Sequence, residues 1–153
     1  MSERDLTHID HRGQASMVDV GHKPPMRRRA KAEGLLKARE ETLQRLFSGE
    51  LPKGEGLAVA RIAGIQAAKR CDELIPLCHT LPLDSVAIDF DRPNPTTLRV
   101  VATASTTART GVEMEALLAA STALLTTWDM LKAIDTDLAI ESVRLIEKTK
   151  ERL

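Results

Sequence analysis

Ala30, Ala32, Gly34 and Leu36 alternate with Lys31 and Glu33 along one short stretch. A two-residue period of this kind puts the small and apolar positions on one face of a half-buried strand. From Lys37 the period lengthens, so that Leu43, Leu46 and Phe47 share a helical face until Gly49 ends it. A second helix is predicted from about Gly56 to Arg70, carried by Val59, Ile62, Ala63, Gln66 and Ala67 at helical spacing. Pro76 and Pro82 bracket a loop. Val86, Ile88 and Phe90 then alternate as a strand, Arg92 to Pro95 supplies a turn, and Leu98, Val100 and Ala102 form the antiparallel partner. Thr110 and Gly111 precede the longest helix, about Val112 to Ile134, rich in Ala, Leu and Met and free of proline. Ala139 to Ile146 reads as a last strand.

The resulting order, βαββαβ, is that of a ferredoxin-like α+β sandwich, an antiparallel sheet with its helices packed on one face. A single domain is expected over 1–153. Residues 1–23 form an N-terminal arm whose Met17 to Val20 makes a short strand, 24–148 the core, and 149–153 a short tail.

Composition sharpens this picture. With 153 residues, a core is attainable without disulfides or structural metal. Phe47, Phe90 and Trp128 are the only aromatic residues, so the core is aliphatic and base-stacking platforms for nucleic acid are disfavoured. Cys71 and Cys78 lack a CxxC arrangement and a second ligand pair, so no tetrahedral zinc motif is present in sequence and a reduced, cytoplasmic setting is expected. Met1 to Asp10 lacks the apolar core of a signal peptide, and the longest uncharged run, Ala116 to Trp128, is too short for a membrane span. Net charge is zero, yet Lys23 to Lys31 holds five cations and no anion, either a solvated basic strand or an anion-binding surface.

Four places carry candidate chemistry. Lys53, beside Gly54 just before the second helix, is either a solvated loop residue or part of an anion site at a helix N-terminus. His79 follows the apolar Leu74 to Cys78 between two prolines, where burial can fix its tautomer; a satisfied core histidine is the plainer alternative. His8, His11 and His22 lie in polar sequence and receive no role. Glu113 and Glu115 occupy the first turn of the long helix and project about 200° apart, more than one cap requires. Asp129 and Lys132, at i, i+3 near the end of that helix, are a surface ion pair or a proton-transfer pair. The second reading is favoured by the preceding apolar run, which suggests buried surroundings.

Met17 to Val20, Ala60 to Lys69, Leu74 to His79 (LIPLCH), Thr110 to Leu117 (TGVEMEAL) and Asp129-Met130-x-Lys132-Ala133 together resemble the family of cyclic pyranopterin monophosphate synthases, the second enzymes of molybdenum cofactor biosynthesis. The resemblance runs from about Leu6 to Lys148. It implies a lyase that converts 3',8-cyclo-7,8-dihydroguanosine 5'-triphosphate, made by a partner radical enzyme, to cyclic pyranopterin monophosphate and pyrophosphate. It also implies a homohexamer built as a trimer of dimers, with sites at the dimer interface. Residue by residue, it assigns catalysis to Asp129 and Lys132. Substrate contacts fall on Leu77, Cys78, His79, Glu113, Met114 and Glu115, with Lys53, Lys148 and Arg28 as further cations. No metal ligand and no required cofactor are implied, and Mg2+ enters at most as a counter-ion of the triphosphate or pyrophosphate. Neither nucleic acid nor membrane is an expected partner. The chain departs from the family pattern at Thr80, where proline is usual, at Arg109, where lysine is usual, and in Thr149 to Leu153, which lacks the usual glycine-rich basic sequence.

These roles suit the chemistry. Cations bind a triphosphate and neutralise charge on departing pyrophosphate, and opening and reclosing a reduced purine moves protons on and off nitrogen and oxygen. Glu115 and Asp129 would stand roughly 21 Å apart on one straight helix, so a site that uses both draws them from different subunits. Two other classes stay open, a non-catalytic oligomer that binds a nucleotide polyphosphate and a nucleic-acid-binding oligomer that uses Lys23 to Lys31.

Overall fold

The computed structural model describes residues 7–153, so residues 1–6 of the expected arm, and the start of the resemblance at Leu6, lie outside the described residues. The element order is β1 (Met26–Lys37), α1 (Glu40–Ser48), α2 (Gly56–Lys69), α3 (Cys71–Leu74), β2 (Leu83–Asn94), β3 (Thr97–Ala108), α4 (Glu113–Leu131) and β4 (Ala139–Glu151). The strands form one antiparallel sheet in the order β2-β3-β1-β4, the α+β arrangement expected from the pattern.

Even-numbered residues of the two central strands supply the buried face: Ala30, Ala32 and Leu36 from β1 and Leu98, Val100, Ala102 and Ala104 from β3. The long helix α4 lies on them through Ala116, Ala119, Ala120, Ala123, Leu124 and Leu131. None of the fully buried side chains is aromatic, and Phe90 packs at the edge of the cluster. Small residues set the spacing between layers. A Cβ on Gly34 would run into Leu124, and one on Gly64 would lie 2.9 Å from the Ala119 carbonyl oxygen and 3.3 Å from Ala123 Cβ. Helices α2 and α4 therefore approach nearly backbone to backbone.

Several boundaries differ from the sequence expectation. Helix α1 begins at Glu40 because Lys37 still pairs with Thr97 and Ala139 in the sheet. Strand β2 continues through Arg92 and Pro93 to Asn94, since it is an edge strand and tolerates a missing donor. The turn follows at Thr96, whose amide donates to Asn94 Oδ1 (3.0 Å). The short helix α3 was not anticipated, and α4 ends at Leu131 instead of Ile134. Strand β4 extends past Ile146 to Glu151, held by Arg27, Arg28 and Arg29 of β1 opposite Glu151, Lys150 and Thr149. Met17 to Val20 forms no strand, having no ladder partner among the described residues. On α2, Val59 and Ile62 point outward (43 % and 58 % exposed), and the buried face is Ala60, Gly64, Ala67 and Ala68. Phe47 is likewise exposed, with the Arg92 guanidinium over its ring.

Asp135 closes the α4–β4 connection. Its buried carboxylate accepts hydrogen bonds from the Arg39 amide (2.9 Å) and the Asp137 amide (2.8 Å), and the Arg39 guanidinium lies 3.4 Å away. Burial alone would raise its pKa, but those amides, Thr42 and the Arg39 charge outweigh burial and hold it below the usual carboxylate range. The stabilisation is complete above the unfolded-state value of about 3.9 and is lost as pH falls toward the depressed folded value. Asp135→Asn is expected to cost about 2 kcal/mol at neutral pH and to flatten the acid limb of stability. Urea melts between pH 3 and 7 check both.

Candidate active site

Helix α4 organises two clusters, one at each end. At its N-terminus, a 220 Å³ cavity is lined by Leu77, Cys78 and His79 from the loop after α3, by Thr110, Gly111, Glu113, Met114 and Glu115, and by Val18 and Val20 of the arm. His8 and Lys23 also line it. His8 thus gains a position for which its polar sequence context gave no signal.

His79 Nε2 lies 2.7 Å from the Val18 carbonyl oxygen. A carbonyl can only accept, so Nε2 carries a proton in this contact and Nδ1 is the nitrogen left to exchange one. The arm residue Val18 therefore sets the tautomer, a use for Met17 to Val20 different from strand pairing. Thr80 Oγ1 donates to Asp72 Oδ2 (2.6 Å) and ties the loop to α3 where the family pattern has proline.

Glu113 and Glu115 diverge as their spacing requires. Glu115 is buried, accepts from Cys78 Sγ through Oε1 (3.7 Å), and has no partner at Oε2. Burial pushes its carboxyl above the usual range, offset only in part by its backbone hydrogen bond and Cys78. Burial also raises the thiols of Cys71 and Cys78, and the neighbouring Glu115 charge raises them further, so neither is a free thiolate nucleophile at neutral pH. The ligand atoms of Cys71, Cys78 and Glu115 lie within 4.8 Å of one another.

Glu113 turns the other way, 3.4 Å from Lys148 Nζ. Gly111 permits this, because any Cβ there would strike the Glu113 carboxylate. Gly111 and Glu113 also border a second 220 Å³ cleft, lined by Arg28, Arg29, Lys148 and Lys150. The antiparallel register sets Arg28 opposite Lys150 and Ala30 opposite Lys148. Arg28 is further aimed by hydrogen bonds to the carbonyls of Ala108 (3.3 Å) and Arg109 (3.2 Å), the latter a contact with the Arg109 backbone that any residue type there could make. Arg29 belongs to the basic run Lys23 to Lys31 singled out in the sequence, whereas Lys150 carries no signal there because only the β1–β4 pairing brings it to the cleft. Arg28, Lys148 and Lys150 share the helix-side face of the two strands, whereas Arg29 projects from the other face, so the cleft gathers three cations with the Glu113 carboxylate beside Lys148, next to a pocket with proton donors and acceptors.

The second cluster is at the other end of α4. Lys132 Nζ lies 2.6 Å from Asp129 Oδ1, and Lys53 Nζ lies 3.5 Å from Oδ2 while donating to the Asp129 carbonyl (3.1 Å). Lys53 thus joins Asp129, not Lys148 and Arg28, within one chain. Its turn is placed by Gly54 (φ +92°) and by the packing of Gly56 on Leu46, Leu51 and Met130. Contrary to the buried surroundings expected, Asp129 and Lys132 are half exposed (side chains 55 % and 50 %). The reason is that the apolar run ahead of them is not all core: Leu125 and Trp128 face solvent. Lys132, then Lys53, holds the Asp129 carboxyl below the usual range, so Asp129 is an ionised acceptor at neutral pH. Helix α4 runs without a break between the clusters.

None of the helices among the described residues is long and apolar enough to cross a membrane. The sequence model of the MoaC family matches residues 17–151. A cyclic pyranopterin monophosphate synthase of Herpetosiphon aurantiacus is 54 % identical over 145 residues, 94 % of this chain and 88 % of the relative. Enzymes of the same name from a Roseiflexus species (54 %, covering 97 % of this chain and 94 % of the relative) and from Thermomicrobium roseum (53 %, 97 % and 90 %) are similar along almost their full length. The agreement spans both clusters and every strand of the sheet, and the chain belongs to the MoaC family.

Proposed function

We propose that this chain catalyses the reaction named for its relatives, as a lyase of molybdenum cofactor biosynthesis. It takes 3',8-cyclo-7,8-dihydroguanosine 5'-triphosphate to cyclic pyranopterin monophosphate and releases pyrophosphate. The observation that carries the reading is the pair of adjoining clefts sharing Gly111 and Glu113, one basic and one lined by His79, Cys78 and Glu115. The basic cleft suits the triphosphate, where Arg28, Lys148 and Lys150 hold the leaving pyrophosphate. The second suits the reduced purine, with His79 Nδ1 as proton acceptor and Glu115, its carboxyl biased toward the protonated form, as donor. Closing the cyclic phosphate is an intramolecular attack of a sugar hydroxyl on the α-phosphorus, so positioning supplies part of the catalysis. No step needs a redox cofactor, and Mg2+ would enter at most as a counter-ion of the triphosphate or pyrophosphate.

Asp129 and Lys132 complete the site from a neighbouring subunit. Supporting this are exposed apolar residues on the two packed helices, Val59 and Ile62 of α2 and Leu125 and Trp128 of α4, the last adjoining Asp129 in sequence. A second copy covering Leu125 and Trp128 would remove water from the adjoining Asp129–Lys132 pair and strengthen its electrostatics. The proposed assembly is a homohexamer, a trimer of dimers, fed by the radical enzyme that makes the substrate. A non-catalytic polyphosphate binder would use Arg28 and Lys148 equally well but gives Asp129 and Lys132 no task.

The test is incubation of the purified protein with the cyclic triphosphate, followed by chromatography for the pterin and assay of pyrophosphate. Equal amounts of both are expected, and absence of both overturns the reading. In the same protein, Lys148→Ala is expected to weaken GTP binding about tenfold, the effect of losing one charge-assisted contact. Calorimetric titration showing unchanged affinity would remove the basic cleft from the phosphate path.

A further inference from the structure

Cys71 is used by none of the steps above, yet it sits 98 % buried, its Sγ 3.8 Å from Cys78 Sγ. Cys78 Sγ is in turn 3.7 Å from Glu115 Oε1. The two thiols come from α3 and the loop after it, and the carboxylate from α4, so the group exists only in the folded chain.

Two spacings are informative. Zinc–sulfur bonds of about 2.3 Å at a tetrahedral angle place two sulfurs about 3.8 Å apart, and a sulfur and an oxygen ligand about 3.6 Å apart. Two of the three edges, Cys71 to Cys78 and Cys78 to Glu115, already have those lengths, and the third lies within 4.8 Å. A second observation points the same way: Glu115 Oε2 is buried with no hydrogen-bond partner, the kind of orphaned group that a cation would satisfy. Cys78 and Glu115 also line the 220 Å³ cavity, which leaves a fourth coordination position facing it.

We propose that Cys71, Cys78 and Glu115 form a binding site for a thiophilic divalent cation of the Zn2+ class, and that occupancy inhibits turnover by taking Cys78 and Glu115 out of the substrate cavity. On binding, each thiol passes its proton to solvent as its sulfur–metal bond forms, and the Glu115 carboxyl likewise releases its proton wherever it holds one and gives an oxygen lone pair. No electron changes hands. Two sulfurs and one oxygen select against Mg2+ and Ca2+, which prefer all-oxygen shells. The inhibitory half rests on the functional reading above, and the binding half does not.

The test uses the full-length protein, reduced and freed of metal, titrated with Co2+ alone and then with Zn2+. One Co2+ per chain is expected, with the intense sulfur-to-cobalt absorption of thiolate ligation, displaced by Zn2+. Cys71→Ser should lower affinity by about 100-fold or more. Cys71→Val, which keeps the buried volume apolar, serves as the second variant should the hydroxyl disturb packing, and thermal melts confirm that each variant is folded. Wild-type protein without that absorption, or a folded Cys71 variant that titrates like wild type, overturns the site. In turnover assays one equivalent of Zn2+ should inhibit the wild type. The Cys71 variant should keep its basal rate and require about 100-fold more Zn2+. Binding without inhibition overturns the inhibitory half. A chain without turnover that still shows the Cys71-dependent cobalt spectrum would sink the functional reading and leave the metal site standing.

Discussion

Asp129→Asn and Lys132→Ala should each lower kcat by about 10²- to 10⁴-fold, the contribution of a positioned proton-transfer group. The asparagine variant keeps the shape of the side chain but removes the charge that Lys132 and Lys53 converge on. The alanine variant removes the ammonium itself and leaves Asp129 with Lys53 alone. Because both side chains are half exposed and belong to no buried network, the melting temperature should change by little. Steady-state kinetics beside thermal melts and sizing chromatography would separate a chemical effect from a structural one. Near wild-type kcat in either folded variant would remove that residue from the chemistry.

How far these features were legible in the sequence depends on what kind of contact makes them. The central strands were legible because Ala30, Ala32 and Leu36, like Leu98, Val100 and Ala102, face one core at a two-residue period. Strand lengths were not, since β4 stops where its partner β1 stops, and register is a property of the pair. The inward face of α2 was misread for a definite reason. Periodicity weights large apolar residues, whereas the close approach to α4 selects Gly64 and its alanine neighbours and leaves Val59 and Ile62 outside.

The site divides similarly. LIPLCH and TGVEMEAL kept Leu77, Cys78, His79, Glu113, Met114 and Glu115 together because each motif is contiguous, and the structure folds both motifs around one cavity. The i, i+3 spacing of Asp129 and Lys132 correctly announced a pair and said nothing of its exposure. Lys150, His8 and the Cys71 to Glu115 contact were illegible, since each depends on chain segments brought together only by folding.

The central claim is that one active site is built from opposite ends of two α4 helices. The 14 residues from Glu115 to Asp129 lie in an uninterrupted helix, which at 1.5 Å per residue separates them by roughly 21 Å within a chain. One small substrate cannot touch both unless a second subunit contributes one of them. The direct measurement mixes an inactive Glu115→Ala protein with an inactive Lys132→Ala protein under conditions of subunit exchange, with exchange verified by mass spectrometry. A hybrid dimer then holds one site with both defects and one with neither, so activity should reappear at up to about half the wild-type rate per hybrid dimer. Exchanged subunits that stay inactive would contradict the shared site and place each cluster's chemistry within its own chain.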